Sequence, residues 1–522
     1  MPEQLRPGQR RPAATRPQAQ PPSTGTRWLV LAILCMGVLI VNLDNTVLNV
    51  ALPTLVRELS ATSSDLQWIV DAYIIVFAGL LLTAGSLADR IGRKKTFLAG
   101  LAVFGGGSAA AAFSGGVSAL IAARAGMGIG GALMLPSTLS IITSMFSDPA
   151  ERQRAIALWA GTGGIGVGLG PIIGGLLLTR FWWGSVFLIN VPIAAAGLVA
   201  AIFLVPDSSN PDALAPDLPG AALSIAGIGS LLWSIIEAPT HGWSSPLVIG
   251  AGTAGLVLLA VFAAWERRTT HPMLNLSFFR RRAFSAAIPA LTTATFGLYG
   301  ALFVLTQFLQ FNLGFTPLQT GVRVLPAAGA VVVIAPASVR LVRAIGTKLT
   351  VVAGLAMIAA GLWQISGATA ATTFAGTVLG MVLLGAGAGL TLPTASGSVV
   401  GSTPTGDSGV ASATNSTAFQ LGGALGVGVI GSLLNTRYQN DVTSSLAGQH
   451  VPHAALTVIQ SSLGGALTVA ADAGGTAGQA LARLAKTAFV SGMDLGLLAA
   501  AAVALGGALL ALAWLPARPG AD

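Results

Sequence analysis

Fourteen apolar runs dominate this 522-residue sequence. They fall at about 28–51, 66–87, 97–115, 118–143, 154–178, 183–204, 218–236, 246–265, 284–311, 318–340, 349–367, 372–400, 408–434 and 489–514. Each is close to or above the roughly 20 residues a helix needs to cross a bilayer. In lipid the backbone must satisfy its own hydrogen bonds, so every run is expected to be a helix. Hydrophobic residues make up 53% of the chain and charged residues 9%, against about a quarter charged in soluble domains. No water-soluble core hides that much apolar surface. The expected class is an all-α polytopic membrane protein, with the lipid bilayer as its immediate partner. The lone cysteine, Cys35, lies in the first run, so no disulfide framework is expected.

Fourteen crossings put both termini on one side of the membrane. The tails and loops on that side hold 20 of the 27 Lys and Arg residues. The opposite loops hold five: Arg57, Arg180, Arg437, Arg483 and Lys486. Basic residues are retained on the cytoplasmic face, so both termini are expected inside, in the plasma membrane. The net charge of +9 then follows from orientation, and nucleic acid drops out as a partner. The implied organisation is a disordered cytoplasmic tail at 1–26, a first six-helix bundle at 27–206, two inserted helices and a linker at 207–282, a second six-helix bundle at 283–516 with an outer loop at 437–486, and a short cytoplasmic tail at 517–522.

Between the second and third runs stands GSLADRIGRKKT, Gly85 to Thr96. Topology alone explains its cations. It does not explain Gly85, Asp89 and Gly92 among Arg90 and Arg93. The stretch resembles the signature loop of the major facilitator superfamily at every position of Gly-x-Leu-x-Asp-Arg-x-Gly-Arg-Lys. The chain also repeats itself. GIGGALMLPS (128–137) returns as GAGAGLTLPT (385–394), and Ile-Gly-x-Lys (91–94) returns at 345–348. Two duplicated six-helix bundles, related about an axis along the membrane normal, are a transporter architecture with the substrate site between them. The resemblance implies the major facilitator fold, here with two inserted central helices. Duplicated geometry is expected to bring Asp89 beside the helix start at Ser408 to Ala411, where free N–H groups favour a carboxylate.

Intramembrane ionisable residues are expensive and mark function. Asp44 is the lone charge between Trp28 and Val56, in LDNTVLNVALP. That stretch is similar to the first-helix motif of the 14-helix drug:proton antiporters, whose matching acid is implicated in proton coupling or cation recognition. Asp71, in WIVDAY, is expected near the outer interface within reach of water, with Trp68 and Tyr73 as interface anchors. Arg124 needs a carboxylate or carbonyl partner, and the family's fourth-helix motif has Arg at this place, thought to assist proton movement. Met127 stands where the family usually has Gln. GVGLGPIIGG carries Gly166, Gly170, Pro171, Gly174 and Gly175, and resembles the motif of export-type members. Trp183-Gly184-Ser185 replaces the family's Trp-Arg-Trp, while Phe187, Asn190 and Pro192 are kept. Asn49, Gln307, Gln310 and Asn415 are candidate pocket residues. Phe296, Phe303, Phe308 and Phe311 are expected to face lipid, the commoner arrangement, with a pocket wall as the alternative.

The four histidines are scattered and suggest no metal site. No Gly-Lys pair exists for a P-loop, and no nucleophile or acid pair suggests an enzyme. The resemblance implies a monomeric, proton-coupled exporter of lipophilic, often cationic compounds, driven by the proton gradient without a cofactor. The alternative is a proton-coupled carrier of an endogenous metabolite or small solute. The charge asymmetry gives a direct test. A cysteine replacing Gln460 should react with an impermeant thiol reagent applied outside intact cells. One replacing Asn275 should react only from inside, and labelling of both from one side would overturn fourteen crossings.

Overall fold

The computed structural model describes residues 24–208, 216–270, 272–403 and 408–517. Helices α1 (Thr24–Leu59), α2 (Ser63–Ile91), α3 (Arg93–Ala112), α4 (Val117–Met145) and α5 (Pro149–Arg180) are followed by the short α6 (Ser185–Leu188) and α7 (Asn190–Leu204). Next come α8 (Leu218–His241), α9 (Pro246–Glu266) and α10 (Arg282–Gln307), the last continuing into a π-helical turn at Phe308–Asn312. Then follow α11 (Pro317–Arg323), α12 (Leu325–Ser366), α13 (Phe374–Gly401), α14 (Ser408–Leu446), α15 (His453–Ser461), α16 (Leu463–Ala473) and α17 (Gly475–Trp514).

Among the described residues, twelve helical stretches are long and apolar enough to cross a membrane. One of them, Pro317–Ser366, is broken at Gly346, whose φ of 87° no helix accommodates. The break makes two crossing limbs of it. With α3, whose 20 residues span about 30 Å, the crossings number fourteen. The chain thus has a basic end, carrying the loop around Gly92, and a far end opposite it.

Within each bundle the helices pack closely on one another, and one continuous apolar core runs through both. In the first, α1 packs on α5 and α7, while α3 packs on α4 and α7, and α2 on α4. In the second, α10 packs on α14 and α17, and α13 lies against α12. The repeat extends to atoms. Gly92 and Gly346 both hold positive φ, at 118° and 87°. Behind them, Arg93 N donates to Ser208 O at 2.9 Å and Thr347 N to Ala517 O at 3.0 Å. Thr96 and Thr350 then bond back to the glycine carbonyls at 3.0 and 2.8 Å. Gly100 lies against the Gly130 carbonyl just as Gly354 lies against that of Gly387. Small residues allow these backbones to touch.

The inserted α8 packs on both α2 and α14, and α9 packs on α8. The segment 437–486, expected as an outer loop with one surface helix, is more helical than that. α14 runs on to Leu446, α15 and α16 follow, and α17 begins at Gly475. A buried tyrosine fixes this cap: Tyr438 donates to Ile459 O at 2.8 Å. The four phenylalanines expected to face lipid are core residues instead, 0–7% exposed, because α10 is enclosed by α13, α14 and α17.

The bundles are bolted together toward the far end. Gln67 of α2 donates to the Val427 carbonyl of α14 at 3.4 Å, and Gln310 donates to Val50 O of α1 at 2.9 Å. A Cβ on Gly175 of α5 would stand 2.5 Å from Leu318 Cα, and one on Gly321 of α11 would strike the Pro171 carbonyl. The ion pairs at the basic end, Arg27–Glu151 and Arg93–Asp89, stay within the first bundle. Overpacking a contact of this kind costs about 1–3 kcal/mol, roughly five- to 150-fold in a two-state population. Gly321→Leu should therefore open the far end. Spin labels at Glu58 and Gln319 should report a longer separation in the variant, and an unchanged distance distribution would contradict this closure.

Candidate functional site

The position of α1 follows from the glycines of α5. Gly163, Gly166, Gly170 and Gly174 recur at helical spacing and face α1. A Cβ at Gly166 would lie 2.9 Å from Leu39 O, one at Gly170 would strike Thr46 Oγ1, and one at Gly174 would lie 3.0 Å from a Val47 methyl. Gly175 and Pro171 face the other way, onto α11. The export-type motif thus serves two seams, one inside the first bundle and one between bundles.

Held in this way, α1 presents Asp44 to the interior, 2% exposed. One carboxylate oxygen pairs with the Arg124 guanidinium of α4, and the other accepts from Asn190 Nδ2 of α7 at 3.1 Å. Arg124 is 1% exposed. Its Nε donates to Ile69 O of α2 at 2.9 Å, and its guanidinium lies 4.5 Å from the centre of the Tyr73 ring. Asn190 also reaches Ser108 of α3 at 3.4 Å. Five helices therefore converge on one ion pair. Asn190 stands first in α7 and Arg124 eight residues into α4, which puts the cluster in the far half. Tyr73 is fully buried here and is no interface anchor, because its ring is needed under the guanidinium. Trp68 donates to Glu237 of α8 at 3.0 Å.

Arg124 is also a wall of a small cavity between the bundles. Asn45, Asn49 and Ile74 line it from the first bundle, and Tyr299, Gln420 and Gly423 from the second. Its ≈ 10 Å³ is about the space of one water molecule. A cavity of ≈ 560 Å³ lies at the basic end of the second bundle, beside Arg281 and Arg343.

Asp71 is not near water. It is 0% exposed, and neither carboxylate oxygen has a hydrogen-bond partner. It lies on the seam between α2 and α14, with Oδ2 3.6 Å from where a Gly428 Cβ would be. Leu232 and Ile236 of the inserted α8 reach the same spot. An acid expected at an interface is dry because α8 covers the seam.

The signature loop stands apart from this cluster. Gly92 turns the chain with positive φ, a Cβ on Gly85 would lie 3.8 Å from Pro136, and Arg90 is exposed. Asp89 pairs with Arg93 at 2.7 Å, and Arg93 reaches Ser140 O of α4 at 3.2 Å. The helix start anticipated as the partner of Asp89 begins at Ser408, and the side chains at 408 and 409 lie outside the described residues.

The remaining candidates scatter. Asn49 lines the small cavity. Gln307 bonds its own helix at Phe303 O, Gln310 is the bolt to Val50, and Asn415 is no part of that cavity's lining. Met127 fills the space beside Gly107. At Gly184 a Cβ would strike the Ala112 carbonyl, which explains why no arginine stands there. Sequence reasoning missed Asn190 and Tyr73 as partners of the ion pair. The polar Asn190 within an apolar run was the available signal.

Two duplicated six-helix bundles with a charge cluster at their shared cleft define a polytopic membrane transporter. The chain belongs to the Major Facilitator Superfamily, whose model matches residues 34–427. The tetracenomycin C resistance and export protein of Streptomyces glaucescens is 34% identical over 509 residues, covering 96% of this chain and 94% of that protein. The multidrug efflux pump LfrA of Mycolicibacterium smegmatis is 36% identical over 473 residues, 90% of this chain and 93% of its own. Among solved structures, a bacterial homolog of the human lysosomal transporter Spinster, in an inward-facing and unoccupied conformation, shares the fold with a TM-score of 0.64 at 17% identity. That match covers 96% of this chain and 100% of the other.

The ion pair predicts its own energetics. Removing one partner of a buried pair costs about 3–5 kcal/mol, because the other charge is left uncompensated. Arg124→Gln should lower the unfolding temperature markedly, and adding Asp44→Asn should restore much of the loss. Additive losses in this double-mutant cycle would show that the two side chains do not act as a pair.

Proposed function

We propose that this protein exports drug-like lipophilic compounds, cations among them, across the plasma membrane in exchange for protons, with both termini in the cytoplasm. The supporting observation is the buried Asp44–Arg124–Asn190 cluster at the wall of the inter-bundle cavity. It occurs in a chain whose relatives, matched over nine-tenths of their length, are named for drug export and efflux. The excess of basic residues at one end supports the orientation. The basic end then faces the cytoplasm, and the far-end bolts close the outer side.

In this state Asp44 is dry and held by Arg124. Opening of the far end admits water to the seam between the bundles. A carboxylate that moves between a dry and a wet setting changes its hold on a proton, since desolvation disfavours the charged form. Protonation of Asp44 from outside frees Arg124 and removes the negative charge that would hold a cation. Deprotonation toward the inside restores the pair and readies the cavity for the next substrate. Asp71 supplies a second proton site on the α2–α14 seam, whose two helices move with opposite bundles. The signature loop acts at the basic end, where Asp89 meets the start of α14 when that end closes.

Everted membrane vesicles with an imposed pH gradient test direction and coupling together. Wild-type vesicles should accumulate a lipophilic cationic dye when the lumen is acidified. Asp44→Asn should abolish the gradient-driven component, because the amide keeps the hydrogen bonds and cannot ionise. Asp71→Asn should reduce it while the dye still binds. Full transport by Asp44→Asn with wild-type dependence on the gradient would refute this role.

A further inference from the structure

Away from the cluster, the base of the inserted hairpin buries two carboxyl groups against each other. Asp217 caps α8 and is 7% exposed. Its side chain accepts from Gly220 N at 2.9 Å and from the Trp265 indole at 3.0 Å. Glu266 ends α9 and is 4% exposed. Its Oε2 accepts from Leu274 N at 2.9 Å, in the connector to α10, and its Oε1 has no partner. The two carboxyls face the same point. A Cβ on Gly220 would lie 2.5 Å from Asp217 Oδ2 and 2.9 Å from the orphaned Glu266 Oε1. Glycine at 220 is what lets them meet.

The charged neighbours on each element are few. From α2 comes Thr83, uncharged, which donates to Asp217 O at 3.5 Å and to Met273 Sδ at 3.3 Å. The connector brings Met273 and the Leu274 amide, and α8 brings Asp217 itself. Arg267 and Arg268 follow Glu266 and are exposed, and His271 lies outside the described residues. Two ionised carboxylates in such a place repel each other, whereas one proton between them forms an O–H···O bond and satisfies Oε1. A Ca²⁺ or Mg²⁺ ion would demand six or more oxygens. Here N–H donors already occupy the other carboxylate positions.

We propose that Glu266 carries a proton on Oε1 and donates it to Asp217, forming a latch that holds the hairpin base and the connector residues 272–281 against α2. The latch holds while that proton is present. As pH at the basic end rises and the proton leaves, two buried negative charges push the base apart and free the connector beside the helix that carries the signature loop. The inserted pair of helices thereby senses pH on that side, independently of Asp44.

The full-length protein in lipid nanodiscs tests this. A spin label at the exposed Ser277 should be immobilised at neutral pH and become mobile as pH is raised. In Glu266→Gln, which keeps a hydrogen bond and cannot ionise, the label should stay immobile throughout. In Glu266→Ala it should be mobile at every pH. Infrared spectra at neutral pH should show a protonated-carboxyl band in wild type that Glu266→Gln removes. Identical pH profiles for wild type and Glu266→Gln, or a carboxyl band indifferent to the substitution, would overturn the proposal. Should the alanine variant fail to fold, the glutamine variant and the infrared band still decide it.

Discussion

A guanidinium inside a bilayer must find its counter-charge on a neighbouring helix, and Arg124 finds it in Asp44. The packing of the first bundle follows from that need. Glycines on α5 bring α1 close enough for Asp44 to reach inward. Tyr73 lays its ring against the guanidinium, Ile69 offers a carbonyl, and Asn190 takes the second carboxylate oxygen. The second bundle has no such pair at the matching place. The 257-residue offset that aligns the glycine motifs sets Met381 opposite Arg124. Duplication supplied the frame twice, and charge was placed in one copy.

That asymmetry divides the labour between bundles. The first holds the buried polar cluster of Asp44, Arg124 and Asn190. The second contributes Tyr299, Gln420 and Gly423 as a neutral wall. Between them the far-end bolts are weak individually: amide-to-carbonyl bonds of 2.9 to 3.5 Å and glycine contacts. Weak, distributed closure suits a seam that has to part and re-form, because no single contact of several kcal/mol must be broken to open it.

Much of the fold was legible in the sequence, since crossing helices announce themselves by length and hydropathy. The repeat was visible in ten-residue motifs, and the structure extends it to the hydrogen bonds behind Gly92 and Gly346. Arg124 was legible as a residue in need of a partner, but hydropathy says nothing about which helix supplies it. Asp71 was misjudged because its position in α2 is near the far end, and distance along one helix does not reveal that α8 lies over it. Tyr73 misled for the same reason. A tyrosine near a helix end suits a membrane interface or a buried cation equally well. In the segment 437–486, α15 and α16 are too short to stand out by length, and the extensions of α14 and α17 continue spans whose ends hydropathy does not mark; buried Tyr438 ties the segment together.

The paired hydrogen bonds at Ser208 and Ala517 have an architectural consequence. Each ties the strand leaving a bundle's last helix to the turn between its second and third crossings, as a clasp ties a bracelet. Each half is thereby finished as an object before the connecting peptide begins. New material spliced between the two clasps disturbs neither ring, and α8 and α9 occupy that splice point. A chain of this kind grows by two crossings at a time, since an odd number would turn the second ring upside down in the membrane.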